Sequence, residues 1–202
     1  MTLDELLHNP KALPTAPKVL ADLIHSFDDP DVPVAHITRT LSADPVLSAK
    51  LLRLANSAYY NVSRTVATVE DAVRMLGFVT VRTLVISSGL VNGFKSAPGL
   101  DLQRFWRYSL NTAVAARWIA NKTGNDADLA FTIGLMHAIG LVIMHAGAPV
   151  EAQKLDDVIG PYDPGRMQHE METLGFSFYD VGAGLAQRWK FPPVFTQTIR
   201  DV

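Results

Sequence analysis

The chain has 202 residues, of which 48% are hydrophobic, and its charge is nearly balanced, with 18 basic and 20 acidic side chains. This hydrophobic content excludes disorder, the length allows one domain or two small ones, and the net charge of −2 gives no electrostatic basis for binding nucleic acid. The absence of cysteine excludes disulfides and thiolate metal sites and fits a cytoplasmic protein. No basic region followed by an apolar one begins the chain, so we predict no secretory signal.

Proline, glycine and capping residues divide the first half of the chain into predicted helices, and apolar residues recur at helical spacing between them. Asp44-Pro45 predicts an N-cap followed by a first-turn proline, and Thr68 with Asp71 predicts a capping box. Residues 78–94 carry one charged side chain before Lys95, and their length favours a helix over a strand. The predicted helices begin after Pro17, Pro33, Asp44, Thr68 and Gly77.

The stretch Ser96-Ala97-Pro98-Gly99 is the best candidate for a boundary between two helical halves. We predict a single domain over residues 1–202, with an N-terminal helical subdomain over 1–97 and a second subdomain over 98–202. Residues 100–122 then predict one long amphipathic helix, whose apolar side comprises Phe105, Trp106, Ala113, Ala116 and Ile119. Because no basic groove accompanies the tryptophans, we interpret them as core anchors rather than a base-stacking platform: Trp106, Trp118 and Trp189.

Residues 129–150 form a run of 22 positions without Asp, Glu, Lys or Arg. A run of this length can span a bilayer or form the central helix of a soluble domain. Its flanks lack clustered basic residues and aromatic belts, so we predict one buried helix with His137 at its middle, and no membrane span. Residues 160–165 predict a loop, and Ser177 with Asp180 predicts a capped helix up to Trp189. We therefore predict an all-α fold of about ten helices.

Sequence motifs for catalysis are absent. The chain contains no HExxH, GxSxG, GxxxxGK[ST] or GxGxxG. His137 is either part of a functional site or, as we favour, a core histidine bonded to a backbone carbonyl. Gly182-Ala183-Gly184 favours close contact between helices over phosphate binding. We therefore assign no catalytic residue, no metal ligand and no cofactor.

A polar and aromatic stretch ends the helix that begins at Pro45. It offers a candidate interaction surface formed by Arg53, Asn56, Ser57, Tyr59 and Tyr60. The alternative, which we favour, is a helix C-cap in which Asn56 adopts the left-handed conformation and the tyrosines pack on the core.

Together, several stretches make the chain resemble the HDOD domain, the HD-related output domain of bacterial signalling proteins. The N-terminal half supplies Leu13-Pro14-x-x-Pro17, Asp44-Pro45-x-Leu47-x-x-Lys50-Leu51-Leu52-Arg53-Leu54-Ala55-Asn56-Ser57-Ala58-Tyr59-Tyr60 and Ala72-Val73-x-x-Leu76-Gly77. The C-terminal half supplies Phe105-Trp106, Asp128-Leu129-Ala130-Phe131-x-x-Gly134-Leu135-Met136-His137-x-Ile139-Gly140, Val181-Gly182-Ala183 and Arg188-Trp189-x-x-Pro192.

The resemblance implies an all-α, HD-like helical core in the C-terminal half. Active members of the HD superfamily are phosphohydrolases that bind divalent metal through an early His, a His-Asp doublet and a later Asp. By position, the early ligand corresponds to Tyr108 and the doublet to His137 and Ala138, while Phe178 stands where many relatives carry His. We interpret Tyr108, His137 and Ala138 as vestigial metal-site positions, because one imidazole cannot hold a catalytic ion.

The resulting hypothesis is a non-catalytic, cytoplasmic regulatory module that binds an unidentified signalling protein or a small ligand, and binds neither nucleic acid nor membrane. HDOD chains usually continue beyond this C-terminus, so the sequence suits part of a longer protein. The alternative is a residual phosphohydrolase or nucleotide binder that uses His137, with phosphate held by Arg53, Arg82, Arg107 or Arg117.

Overall fold

The computed structural model describes residues 1–10, 12–13, 18–25, 34–58 and 65–201. Within these ranges the chain folds into thirteen helices and no strand, which confirms the predicted all-α class. The helices are α1 (Leu3–Leu7), α2 (Lys18–His25), α3 (Val34–Ser42), α4 (Pro45–Ala55), α5 (Val69–Leu76), α6 (Phe78–Gly93), α7 (Leu102–Thr123), α8 (Ala127–Met136), α9 (Ile139–Gly147), α10 (Pro149–Asp156), α11 (Arg166–Leu174), α12 (Phe178–Arg188) and α13 (Pro193–Arg200).

Residues 17–90 form one compact unit. The predicted N-caps are present in it: the Asp44 carboxylate accepts from the N–H groups of Val46 and Leu47, and the Thr68 hydroxyl accepts from the N–H of Asp71. The capping box predicted at Thr68 is incomplete, because the Asp71 carboxylate accepts from the Thr68 hydroxyl rather than from its backbone N–H. These caps satisfy donors that have no partner within a first helical turn. The core of this unit is aliphatic and includes Leu23, Ile37, Leu41, Leu51, Ala55, Ala72, Val73, Val81 and Val85.

Residues 1–16 and 91–202 form the other compact unit. The predicted single domain over 1–202, with subdomains 1–97 and 98–202, stays a prediction. In this unit α7 packs against α8, and α12 packs against both α9 and α13. The Ser177–Asp180 capping box begins α12 as predicted. Trp189, only 5% exposed, stacks with Phe94 at 6.3 Å between ring centroids, as expected of a core anchor.

Glycines permit the closest helix contacts of this second unit. A Cβ at Gly134 in α8 would lie 2.9 Å from the Cα of Ala113 in α7. A Cβ at Gly140 in α9 would collide with the carbonyl oxygen of Phe178 at the start of α12. A Cβ at Gly184 would lie 2.5 Å from a methyl of Leu7, which confirms that the Gly182–Gly184 stretch serves close packing. These contacts join α7 to α8, α9 to α12 and α12 to α1.

The prediction of one uninterrupted helix over residues 129–150 is wrong, because α8 ends at Met136 and α9 begins at Ile139. The imidazole Nδ1 of His137 donates a hydrogen bond of 2.7 Å to the carbonyl of Gly134. In a continuous helix that carbonyl would accept from the N–H of Ala138. The His137 side chain thus competes with the N–H of Ala138 for the Gly134 carbonyl at the break. Ala138 there has φ −105° and ψ 11°.

Two predictions about α7 are also wrong. Trp118 is 63% exposed and Ile119 is 54% exposed, so neither is a core residue. The Lys122 ammonium lies 5.9 Å from the centroid of the Trp118 ring and covers part of it. Phe105 and Ala113 are fully buried, as predicted. The predicted apolar face of α7 was too wide, because Ile119 lies outside the face that packs against α8.

Residues Ala127–Gly147 are long and apolar enough to cross a membrane. Helices α5 and α6, which are bent relative to each other, would be long enough only if they are counted as one span. The most apolar window of Ala127–Gly147 is 72% buried inside the protein. The core helices of soluble proteins show the same combination of length, hydropathy and burial. The burial therefore explains the apolar run without a membrane.

Candidate functional site

His137 lies at the junction between α8 and α9 and is 6% exposed. Its Nδ1 carries the proton, because the Gly134 carbonyl that it contacts can only accept. Burial lowers the pKa of His137 below its ordinary value, and the hydrogen bond to Gly134 offsets part of that effect. The structure thus places His137 as a core histidine bonded to a backbone carbonyl, with Nε2 as its remaining ring nitrogen.

Tyr108 projects from α7 toward the same junction. Its ring centroid lies 5.2 Å from that of His137 and 4.8 Å from that of Tyr162. Ala138, the neighbour of His137, lines a pocket together with Tyr108. The three positions that the resemblance assigned to a vestigial metal site are therefore brought together in space, although Tyr108 is far in sequence from the adjacent His137 and Ala138.

The pocket at this junction has a volume of about 340 Å³. Phe178, the position where many relatives carry His, also lines it. Among the described residues, the lining is largely aromatic and apolar, with one carboxylate and no lysine or arginine. Its residues are Tyr108, Ala138, Leu141, Pro161, Tyr162, Asp163, Pro164, Met167, Phe178 and Tyr179.

Tyr162 and Tyr179 are pocket residues that sequence reasoning missed. Desolvation raises the pKa of both phenols, so the two rings are neutral near pH 7. The Tyr162 hydroxyl oxygen is buried and has no hydrogen-bond partner among the described residues. The sequence predicted the loop at 160–165 but carried no signal that its tyrosine turns inward.

A buried network of charges holds this loop. The Arg166 guanidinium donates to Asp156 and Glu170, each at 2.6 Å, and to the carbonyl of Ile159 at 2.8 Å. The other Glu170 oxygen accepts from the N–H of Phe178 at 2.7 Å. Arg166 and Glu170 are fully buried, and burial raises the pKa of Glu170 even though Arg166 opposes that rise. The network ties α10, α11 and α12 to the base of the loop.

Sequence reasoning also missed this network. The four-residue spacing of Arg166 and Glu170 was the available signal, since such pairs meet on one helix face. That spacing is common on exposed helices and does not reveal burial. His145 extends the network: its Nδ1 donates to the carbonyl of Pro98 at 2.9 Å, and its Nε2 lies 3.3 Å from Asp156.

The pocket residues do not fit a catalytic divalent metal. Across the described parts of the chain, no three His, Asp or Glu side chains stand close enough to share an ion. Asp163 is the one carboxylate among the described lining residues, and one of its oxygens already accepts from the N–H of Gly165 at 2.9 Å. Hard divalent ions in proteins need several oxygen or imidazole ligands. The pocket can instead offer ring faces, hydroxyl groups and a single carboxylate.

The candidate surface at the end of α4 is only partly within the described residues. Tyr59 and Tyr60 lie outside them, while Arg53 is exposed and Ser57 is half-buried. The prediction of a left-handed Asn56 is wrong, because its φ is −90° and its ψ is 9°. Its amide instead donates to the carbonyls of Leu52 and Val66 and accepts from the N–H of Val66, each at 2.8 Å. Asn56 thus joins the end of α4 to the chain segment before α5.

The arginines predicted to hold phosphate do not line the pocket. Arg53 and Arg82 lie in the unit of residues 17–90, and Arg107 and Arg117 lie on α7. Arg117 pairs with Asp128 at 3.0 Å.

The sequence and the fold match known proteins over nearly the whole chain. A putative phosphohydrolase of Shewanella amazonensis, known from a crystal structure, is 36% identical, with a TM-score of 0.79 over 96% of this chain and 72% of that chain. An HDOD domain protein with unknown function from Geobacter sulfurreducens is 30% identical, with a TM-score of 0.76 over 93% of this chain and 63% of that chain.

A curated protein of Treponema pallidum is 28% identical over 192 residues, and this chain spans only 37% of its length. The family described as the HDOD domain matches residues 13–202. This match agrees with the resemblance seen in the sequence motifs and with the all-helical fold. The chain belongs to the HDOD domain family.

Proposed function

We propose that the chain is a non-catalytic regulatory module, which transmits a signal by binding a protein or a small ligand. The observation that carries this proposal is the composition of the pocket beside His137. At two of the positions where the resemblance implies metal ligands, Tyr108 and Ala138 line that pocket, and Phe178, which stands where many relatives carry His, lines it too. None of the three can hold a divalent ion as an active HD-superfamily site does.

His137 alone does not restore a metal site. Its Nδ1 is engaged by the Gly134 carbonyl, so a single ring nitrogen is left for any ligand. The described part of the lining also lacks the basic side chains that hold the phosphate of a nucleotide substrate. These features favour the regulatory proposal over the residual phosphohydrolase that the sequence left open. The cytoplasmic location and the binding of a signalling protein or small ligand stay predictions.

The proposal is tested on protein purified without added metal or chelator. We expect metal analysis to find less than stoichiometric Mn, Fe, Zn or Mg. We also expect no turnover of bis(4-nitrophenyl) phosphate or of a panel of nucleotides when Mn²⁺ is added. Stoichiometric metal together with turnover that His137→Ala abolishes would contradict the proposal.

A further inference from the structure

We propose that the pocket walled by Tyr108, Tyr162, Phe178 and Tyr179 binds a small organic cation, such as a quaternary ammonium or a protonated amine. The inference deepens the proposed function, because it names a ligand class for the regulatory site. It rests on that function in one respect, namely that no metal ion fills the pocket.

The first argument is the density of aromatic rings. Tyr108 and Tyr162 have ring centroids 4.8 Å apart, and Phe178 and Tyr179 have centroids 4.0 Å apart. All four rings line one pocket. The π face of an aromatic ring carries partial negative charge, and several such faces around one cavity favour a weakly hydrated cation over a neutral or anionic group.

The molecule already uses one of these rings in this way. The Arg104 guanidinium carbon lies 5.2 Å from the centroid of the Tyr162 ring. That distance is within the range of a cation–π contact. The contact shows that the electron density of this ring suits a positive partner.

The second argument is the sign of the charge around the pocket. Of the lining residues that the structure describes, Asp163 is the only carboxylate, and no lysine or arginine accompanies it. Asp156 and Glu170 near the pocket are both paired with Arg166, so the Asp163 carboxylate is the charge that the lining itself presents. This carboxylate favours a cationic ligand over a phosphate or carboxylate.

The third argument concerns size and preorganisation. A volume of about 340 Å³ is at the lower end of the range for small-ligand pockets. The Arg166 network fixes the loop that carries Tyr162 and Asp163. A preorganised wall lowers the entropic cost of binding.

The test uses choline and tetramethylammonium as probes, each titrated into the whole chain by calorimetry at constant ionic strength. The control is 3,3-dimethylbutan-1-ol, which has the shape of choline but no charge. We expect choline to bind at least about tenfold more tightly than this alcohol, since a desolvated cation–π contact is of that order. AMP serves as the anionic control and should not bind.

Matched variants locate the site. Tyr162→Leu removes a ring face and should weaken choline binding about tenfold or more, whereas Tyr162→Phe keeps the ring and should change it only a few-fold. Trp118→Leu removes an exposed aromatic ring on α7, outside the pocket lining, and should have no effect. If Tyr162→Leu fails to fold, the comparison of choline with the neutral alcohol on the wild-type chain still tests the proposal.

Equal affinity for choline and the alcohol, preference for AMP, or no saturable binding of either cation would overturn the cation proposal. These results leave the non-catalytic function standing. Stoichiometric metal binding with hydrolytic turnover is a different result and would overturn the proposed function itself.

Discussion

At the scale of single residues, His137 has a direct effect on stability. Burial lowers the pKa of the folded imidazole below 6.5, while the unfolded chain keeps the ordinary value. The unfolded state therefore binds the proton more tightly, and the free energy of unfolding falls as the pH drops below about 6.5. At higher pH the imidazole is neutral in both states, and this contribution to pH dependence disappears.

We predict that His137→Gln makes the free energy of unfolding less dependent on pH below about 6.5. Urea unfolding of the wild type and the variant at pH 8 and at pH 5.5 measures the effect. The loss of stability between the two pH values should be smaller in the variant than in the wild type. An identical loss in both proteins would show that another group causes the acid sensitivity.

Arg166 is the second residue with a predicted energetic role. Arg166→Met would leave the buried carboxylates of Glu170 and Asp156 without their cation, so we expect a loss of about 3–5 kcal/mol in the free energy of unfolding. The matched control is Arg74→Met, which removes an exposed pair with Glu70 and should cost less than about 1 kcal/mol. Denaturant unfolding compares the two, and equal losses would contradict a dominant role for the buried network.

At the scale of secondary-structure elements, the close approach of α9 and α12 positions Phe178 beside Ala138 in the pocket. Gly140→Ala places a Cβ against the carbonyl oxygen of Phe178, so we expect a loss of at least about 1–3 kcal/mol from overpacking. Gly160→Ala is the control, since a Cβ there meets no atom within 4 Å. Thermal unfolding should show a large drop in Tm for the first variant and little change for the second. Similar Tm values would mean that the two helices separate at little cost.

Trp118 and Trp189 were both predicted to be core anchors, but they should differ in their contribution to the free energy of unfolding. We expect Trp189→Ala to cost about 3–5 kcal/mol, because its ring is buried and stacked on Phe94. Trp118→Ala should cost less than about 1 kcal/mol, because most of its ring is exposed. Denaturant unfolding of both variants measures the difference, and a large loss for Trp118→Ala would contradict its placement on the surface.

Most elements could be predicted from local sequence signals. The caps at Asp44, Thr68 and Ser177 appear where the sequence placed them, since a cap depends on residues within three positions. The break after Met136 could not be predicted, because it depends on a side chain that bonds a backbone carbonyl inside an apolar run. The exposure of Trp118 was also missed, since an apolar residue near the edge of a helical face gives the same periodic pattern whether or not a neighbour covers it.

At the scale of the whole molecule, the fold class and the family followed from motifs spread along the chain. The pocket did not, because its walls come from α7, from the junction of α8 and α9, from the loop at 160–165 and from the start of α12. Tyr108 and Ala138 were found through the family resemblance, whereas Tyr162 and Tyr179 were missed. Residues this far apart in sequence come together through the packing of the helices, which local sequence patterns do not specify.

We propose that aromatic and apolar side chains occupy the place of a metal site in this chain, so that the module binds its ligand without hydrolysing it. Electron paramagnetic resonance of Mn²⁺ tests this proposal, because the six-line signal of the free ion is lost when a protein binds it. We predict that equimolar protein leaves the signal unchanged at neutral pH. Loss of the signal at one ion per chain, restored by His137→Ala, would contradict the account.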